Sequence, residues 1–311
     1  MDVQVLTFHP DNRLVRQALI SVSIISIAIV LSSLTVSAQD LLSLIEDDEE
    51  ETEIVAAAWK ANRVVNLHSI ENTPAGVFDF KIGHRFGQLS LGLSELFGLD
   101  QSSVRIGGDY GITDRLMIGL GRSSFEKTID GFVKYRLIRQ TRGAVETPLS
   151  VSLLATAAIK TVPFQNPDRE NFFSSRLYYT YQVILARKFS NEFTLQLSPT
   201  LVHRNLVEFN EESNDVIAMA AAARFKLTQR LALNVEYIYV PDGQLLPGFR
   251  NSFTLGLDIE TGGHVFQLHF TNSTSMIEKG FVTETTGNWW DGNIHFGFNV
   301  SRVFQLHTPK S

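Results

Sequence analysis

The sequence predicts an all-β protein, a single antiparallel up-and-down transmembrane β-barrel of about twelve strands. Three observations predict it. Segments of about ten residues alternate apolar and polar side chains, the period of a strand whose two faces meet different surroundings. Tight turns and longer loops follow one another along the chain, as they do where one barrel rim carries short turns and the other long loops. A secretory leader heads the 311-residue chain, which has no cysteine. Disulfides, thiolate chemistry and a lipid-modified cysteine are thereby excluded, and attachment to an envelope falls to the fold itself.

The elements follow in order. In residues 1–38, Arg13 and Arg16 precede the apolar run Ala18–Leu34, and Val36-Ser37-Ala38 places small residues at −3 and −1 of a cleavage site. This is the layout of a signal peptide cleaved after Ala38. The run is long for such a segment, which leaves an uncleaved anchor as the alternative. Residues 39–53 hold eight acids (Asp40, Glu46, Asp47, Asp48, Glu49, Glu50, Glu51, Glu53) and no base. A block this dense repels itself and reads as a disordered acidic tail, with cation or basic-partner binding as the alternative. It also accounts for the net charge of −6, since the remainder carries +2. No basic cluster with interleaved aromatics occurs, which excludes nucleic acid as a partner.

Residues 54–76 contain β-branched side chains and Trp59 but alternate poorly. An extended periplasmic lead-in, an extra strand and a plug inside the barrel all fit, and the extended lead-in is the expectation. Residues 77–306 form the barrel. Its first strand sets Phe78, Phe80, Ile82 and Phe86 against Asp79, Lys81 and Arg85. A longer connection with a short helical turn at LSELFGL follows. The next three strands place Val104, Ile106 and Tyr110, then Leu116, Ile118 and Leu120, then Ile129, Val133, Tyr135 and Leu137 on one face. Thr113-Asp114 is the tight turn between the first two, and the next connection is the longer loop. TRGAVET, the one exception to the long–short rhythm, leads to Leu149–Lys160. After a Pro/Asn loop come Arg176–Lys188 and, past Ser190-Asn191, Phe193–Arg204. The acidic loop LVEFNEESND precedes the alanine-rich Val216–Leu227, and Thr228-Gln229 turns it into Leu231–Val240. Phe253, Leu255, Leu257 and Ile259 define the tenth strand, and Thr261-Gly262-Gly263 is a hairpin signal into His264–Thr271. A long loop with Trp289 and Trp290 leads to the last strand, marked by Ile294, Phe296, Phe298 and Val300. Residues 307–311 form a C-terminal tail. With both termini periplasmic, the long loops face outward and the turns inward. Tyr179, Tyr181, Tyr237, Tyr239 and Phe86 gather at one rim, and Phe78, Tyr110, Tyr135, Phe225 and Phe304 at the other, as two headgroup belts. A soluble barrel alternates too, with its apolar face turned inward.

HRFG at His84–Gly87, ELFGLD at Glu95–Asp100, DYGITDRLMIGLGRS at Asp109–Ser123 and KTIDGFVKYRLIRQ at Lys127–Gln140 carry a resemblance, as does KANRVVNLHSIEN at Lys60–Asn72. They resemble an uncharacterised family of predicted outer-membrane β-barrels of Gram-negative bacteria. The resemblance implies a barrel and an outer-membrane address, and it brings no catalytic residues.

With the apolar faces against lipid, the lumen receives Asp79, Lys81, Arg85, Arg105, Asp109, Lys134, Arg136, Arg176, Glu236, Asp258, Glu260, His269 and His295. The first six strands supply mostly bases, and the ninth and tenth mostly acids. Two functions follow from that distribution. One is a porin-like channel or transporter for small polar or charged solutes, with a transverse field across its pore. The other is a closed structural or partner-binding barrel whose lumen is filled by charge pairing. No G-x-S-x-G elbow or H-E-x-x-H helix is present, so no enzymatic activity and no cofactor are expected. His84 and His203 share the outward parity but have no acid or serine partner at a recognisable spacing. His269 and His295 lie on neighbouring strands near Asp258 and Glu260, and a solvated pair is preferred there over a metal site. Trp289 and Trp290 read as headgroup anchors. The expected partners are outer-membrane lipid and a small polar solute, with oligomeric state unassigned.

Overall fold

The computed structural model describes residues 51–164, 167–168, 170–207, 211–261 and 264–307. The expected signal peptide, residues 39–50 of the acidic tail and residues 308–311 lie outside the described residues. Twelve strands form one closed antiparallel barrel. They are β1 (Val77–Gln88), β2 (Ser102–Gly111), β3 (Leu116–Ser123), β4 (Ile129–Ile138), β5 (Ser150–Ile159) and β6 (Leu177–Lys188). The second half is β7 (Phe193–Arg204), β8 (Asp215–Lys226), β9 (Leu231–Tyr239), β10 (Ser252–Thr261), β11 (His264–Thr271) and β12 (His295–Gln305). Each strand pairs with the next, and β12 pairs with β1 to close the wall.

The period of two sets the faces. In β4, Asp130, Phe132 and Lys134 are buried inside while Ile129, Val133, Tyr135 and Leu137 are exposed outside. The same holds in β2 and β3, where Ile106, Ile118 and Leu120 are exposed beside buried Arg105, Asp109 and Met117. In these strands ionic groups sit inside and branched aliphatics outside, the reverse of a soluble barrel and the arrangement lipid demands. No helix of the described residues is long and apolar enough to cross a membrane.

The two rims differ as expected, with one departure besides the exception already read at TRGAVET. The loop between β3 and β4 is only Ser124–Thr128, tightened by a 3-10 turn at Phe125–Lys127 with Glu126 and Lys127 at φ 53° and 48°. On the opposite rim, the connection between β4 and β5 is long because it carries a strand of its own. Thr141–Arg142 pairs with Glu53–Ile54 in a small two-stranded sheet.

Residues 54–58 stay exposed or half-buried at the rim, but from Trp59 to Thr73 the segment does not lie extended beneath the barrel, which corrects the preferred expectation for it. Trp59, Val64, Leu67, His68 and Ile70 are buried among the inward faces of the strands. Residues 62–69 form a hairpin closed by Val64 N to Leu67 O (2.8 Å) and Ser69 N to Asn62 O (3.0 Å), with Val65-Asn66 at its tip. A segment surrounded on every side has no solvent or lipid face, so it carries no period for a sequence to display. The loop from Asn272 to Ile294 also folds inward. Ser273, Ser275, Met276, Ile277 and every residue of its short helix α1 (Glu278–Thr283) are buried. Hairpin and loop meet at Glu278, whose Oε1 lies 3.0 Å from Arg63 Nη1 and 3.4 Å from His68 Nε2.

Candidate functional site

The candidate site is the lumen, and its charged side chains are bound chiefly by the hairpin. Glu236 on β9 accepts at Oε1 from the backbone N–H groups of Val65 (2.8 Å), Asn66 (3.0 Å) and Leu67 (3.0 Å). A carboxylate this deeply buried is stable only when hydrogen-bonded, and three successive amides at a turn satisfy it. Across the lumen, Lys134 Nζ donates to the carbonyls of Ser69 (3.0 Å), Glu71 and Asn62 (3.5 Å). Arg85 donates to Asn66 Oδ1 and to the carbonyls of Ser273 (2.8 Å) and Ser275, tying hairpin and inward loop to β1. Asp109 accepts from Asn62 Nδ2 (3.0 Å) and pairs with Lys81 (2.9 Å), which also reaches Asp79 (3.3 Å). Arg136 meets Ile70 O and Glu71 Oε2 (both 3.3 Å), and Glu260 pairs with Lys60 (3.0 Å). Asp258 orients Gln267 (2.8 Å), which donates to Val64 O.

The expected basic and acidic arcs are therefore present but do not pair with each other. The hairpin stands between them and partners Glu236, Lys134 and Arg136, while Lys81 pairs with Asp79 and Asp109 within the basic arc. Arg105–Asp130 is a direct pair (Nε to Oδ1 2.9 Å), and glycine makes it possible. A Cβ on Gly121 of β3 would lie 2.3 Å from the Arg105 guanidinium, so only glycine lets Arg105 cross that strand to β4. Arg176 corrects the sequence reading. It precedes β6 in the 3-10 turn Phe173–Arg176, donates to Lys160 O (3.0 Å) and Val162 O, and stacks on Phe164 in the outer loop rather than lining the lumen. His269 lies 3.5 Å from Arg85 Nε, and His295 places Nδ1 2.8 Å from Phe86 O and Nε2 3.0 Å from Thr274 Oγ1. Among the described residues no cluster of His, Asp and Glu is placed to hold a metal ion.

The sequence reading missed an apolar arc on the inner wall. Met117, Phe132, Leu154, Ile184, Val202, Val216 and Ile238 point inward and pack with Trp59, Val64, Leu67 and Ile70 of the hairpin and Phe281 and Val282 of α1. A signal existed in β6, where Val183-Ile184-Leu185 is apolar on both parities, and in the alanines of β8. Beside Arg63, Asn66, Arg85, Arg105 and Met276 lies a cavity of about 50 Å³, room for little more than a water, and a wider hollow of about 240 Å³ opens near the rim beside Ile70, Glu71 and Arg136. His203 has an acid partner that sequence spacing hid: Asp215, directly across on β8 at 2.7 Å, in an exposed pair.

At the outer end, Lys279 of α1 bridges Glu126 (2.9 Å) and Glu284 (2.6 Å), with Lys160 on the other oxygen of Glu126 (2.6 Å). Burial alone would raise the Glu126 carboxyl, but Lys279 and Lys160 outweigh it and hold it below its ordinary range. Burial raises Glu284, which Lys279 only partly offsets. Trp289 donates to Phe253 O (3.1 Å) and packs on that ring, while Trp290 is 94% exposed at the rim.

Residues 59–304, from the hairpin's first buried aromatic to the penultimate residue of β12, match the family described as a membrane bound beta barrel domain (DUF5777). The chain belongs to that family. The match takes in hairpin and wall together. No curated protein matches the chain. Among solved structures it is similar to the NanC porin, at 8% identity and TM-score 0.46 over 73% of this chain and 98% of that one. It is similar to the KdgM porin at 6% and 0.43, over 74% and 99%. The outer membrane protein Omp33 of Acinetobacter baumannii follows at 8% and 0.40, over 73% and 97%.

Proposed function

We propose that the protein is a porin-like channel of the outer membrane for small polar or charged solutes, held shut by its own N-terminal hairpin. One observation carries this reading: the wall closes without the hairpin. Its ladders run strand to strand all the way round, and residues 54–76 meet them by backbone at the rim, through the Ala75–Gly111 bridge and the bonds of Gly76 to Gly111, Leu306 and His307. The hairpin is otherwise held by side chains, and its two ends leave by the same rim, one into the Glu53–Ile54 ladder and the other into β1. It can withdraw toward that rim without breaking a rung of the barrel.

A second reading, a permanently closed barrel with a structural or partner-binding role, is favoured by Glu236 and Lys134. Their hydrogen bonds go to the hairpin, and each group left buried and unpaired costs about 1–3 kcal/mol or more.

A reversible lock separates the two. A Cβ on Gly256 would lie 2.5 Å from Val65 Cγ2, which puts the two Cβ positions within about 4 Å, the span a disulfide needs. The native chain has no cysteine to compete. Full-length V65C/G256C in liposomes should admit arabinose and glycine when reduced and neither when oxidised, as read by swelling rate. Equal rates in the two redox states, zero included, overturn the channel reading.

A further inference from the structure

We infer that the lumen is a peptide-binding site, and that the hairpin occupies the place of a short oligopeptide with apolar side chains. The inference rests on the channel reading and names the class of solute its lumen recognises. It begins from which atoms of the hairpin the wall touches. Glu236 takes three consecutive backbone N–H groups and no side chain of the hairpin. The carbonyls of Ala58, Asn62, Val64, Val65, His68 and Ser69 are taken by Thr194 (3.2 Å), Lys134, Gln267, Asn299 (3.2 Å), Gln196 (2.8 Å) and Lys134 again. With Glu236 these are six wall residues from five strands, β4, β7, β9, β11 and β12, and Asp258 of β10 holds Gln267 in place behind them. They converge on groups that every peptide has.

The lumen also supplies a surface for side chains, in part on the same strands: Phe132 beside Lys134 on β4, Val202 beyond Gln196 on β7 and Ile238 beside Glu236 on β9. The apolar arc of the wall receives Trp59, Val64, Leu67 and Ile70. Polar groups that take the main chain interleaved with apolar surface that takes side chains is the combination by which extended peptides are recognised: backbone hydrogen bonds hold the chain and pockets sort its side chains. A sugar offers hydroxyls but no run of N–H donors for Glu236, and an acidic solute meets that carboxylate as a like charge. The occupant that satisfies the whole set is a peptide that turns at Glu236 and carries no acid at the turn.

The test uses full-length protein in detergent with the hairpin loosened by Arg63→Ala and Asn66→Ala, which remove its contacts to Glu278, Arg85 and Thr254. The probe is a fluorescent nonapeptide, ANRVVNLHS, followed by anisotropy. A second probe carries N-methyl groups on the three residues that face Glu236, deleting the donors without changing the side chains. The expected result is saturable binding of the first probe. The second should bind at least about ten-fold more weakly, the factor that loss of hydrogen bonds to a charged acceptor implies. Glu236→Gln in the loosened protein should weaken the first probe in the same direction, maltotriose should not displace it, and oxidised V65C/G256C should bind neither probe. Should the loosened protein fail to fold, reduced V65C/G256C replaces it. Absence of binding, or equal binding of the two probes, overturns the inference. Failure of the channel reading shows separately, as identical swelling of oxidised and reduced V65C/G256C.

Discussion

Glu236 shows how much of the closed state rests on single atoms. Its Oε1 gathers the tip of the hairpin from one strand, and nothing else on β9 replaces it. Replacement by leucine keeps the volume and leaves three backbone donors without their acceptor, at about 1–3 kcal/mol each where water cannot reach. The wall should survive, because the β9 ladders to β8 and β10 are backbone-made. Glu236→Leu is therefore expected to raise tryptic cleavage at buried Arg63 by at least about ten-fold, with the heat-modified gel band of the barrel unchanged. Unaltered protection of Arg63 sinks this assignment. The inward direction of Glu236 was legible from its parity between Val235 and Tyr237. Its partner was not, because backbone N–H groups have no sequence signature and any turn could supply them. Arg176 failed for the opposite reason. Its parity was right for the lumen, but the strand begins one residue later, and the Phe164 ring and two carbonyls hold it in the loop.

At the scale of elements, the strands were legible because lipid and lumen are unlike and each strand separates them. The hairpin and the inward loop separate nothing, so poor alternation was the only trace they could leave. The inward loop nonetheless has a definite latch. Lys279 of α1 ties it to Glu126 in the β3–β4 loop and to Glu284, and Lys160 supports Glu126 from the β5 side. Glu126 is depressed below its ordinary 4.5. The latch contribution of a depressed carboxyl is complete above that value and is lost as pH falls through the lower, folded value. Glu284 is raised, so it takes its proton first and leaves Lys279 to Glu126 alone. The latch should hold through mild acid and release only below about pH 4.5. Hydroxyl-radical footprinting of Phe281, fully buried on α1, should rise in that window. Glu126→Gln should show the raised level already at neutral pH, and a flat profile in the native chain would remove the latch. The outer connections were read correctly as the longer set, with Ser124–Thr128 the departure, and that short loop is the one that presents Glu126 to Lys279.

Over the whole molecule, one distribution of side chains explains both the address and the closed lumen. Aliphatic and aromatic residues such as Ile106, Leu120, Val133, Ile217 and Phe270 stand exposed on the outside, where water would penalise them and acyl chains do not. The inside is split between an ionic arc and an apolar arc, and a hairpin with both kinds of group fills it. Depth in the bilayer gives this arrangement a measurable consequence. Leu120 sits mid-strand on β3 and Ile112 at the turn after β2, and both are exposed on the outer surface. A guanidinium at the bilayer centre costs about 2–4 kcal/mol in barrels of this kind, falling to about 0–1 kcal/mol at the interface. Leu120→Arg should therefore lower unfolding stability in phospholipid vesicles by about 2–4 kcal/mol and Ile112→Arg by no more than about 1 kcal/mol, read from reversible urea transitions. A soluble barrel of the same shape would present both positions to water, where arginine is tolerated equally well. Equal, small effects at the two sites would place the outer face in water, and a steep difference between them places it in lipid.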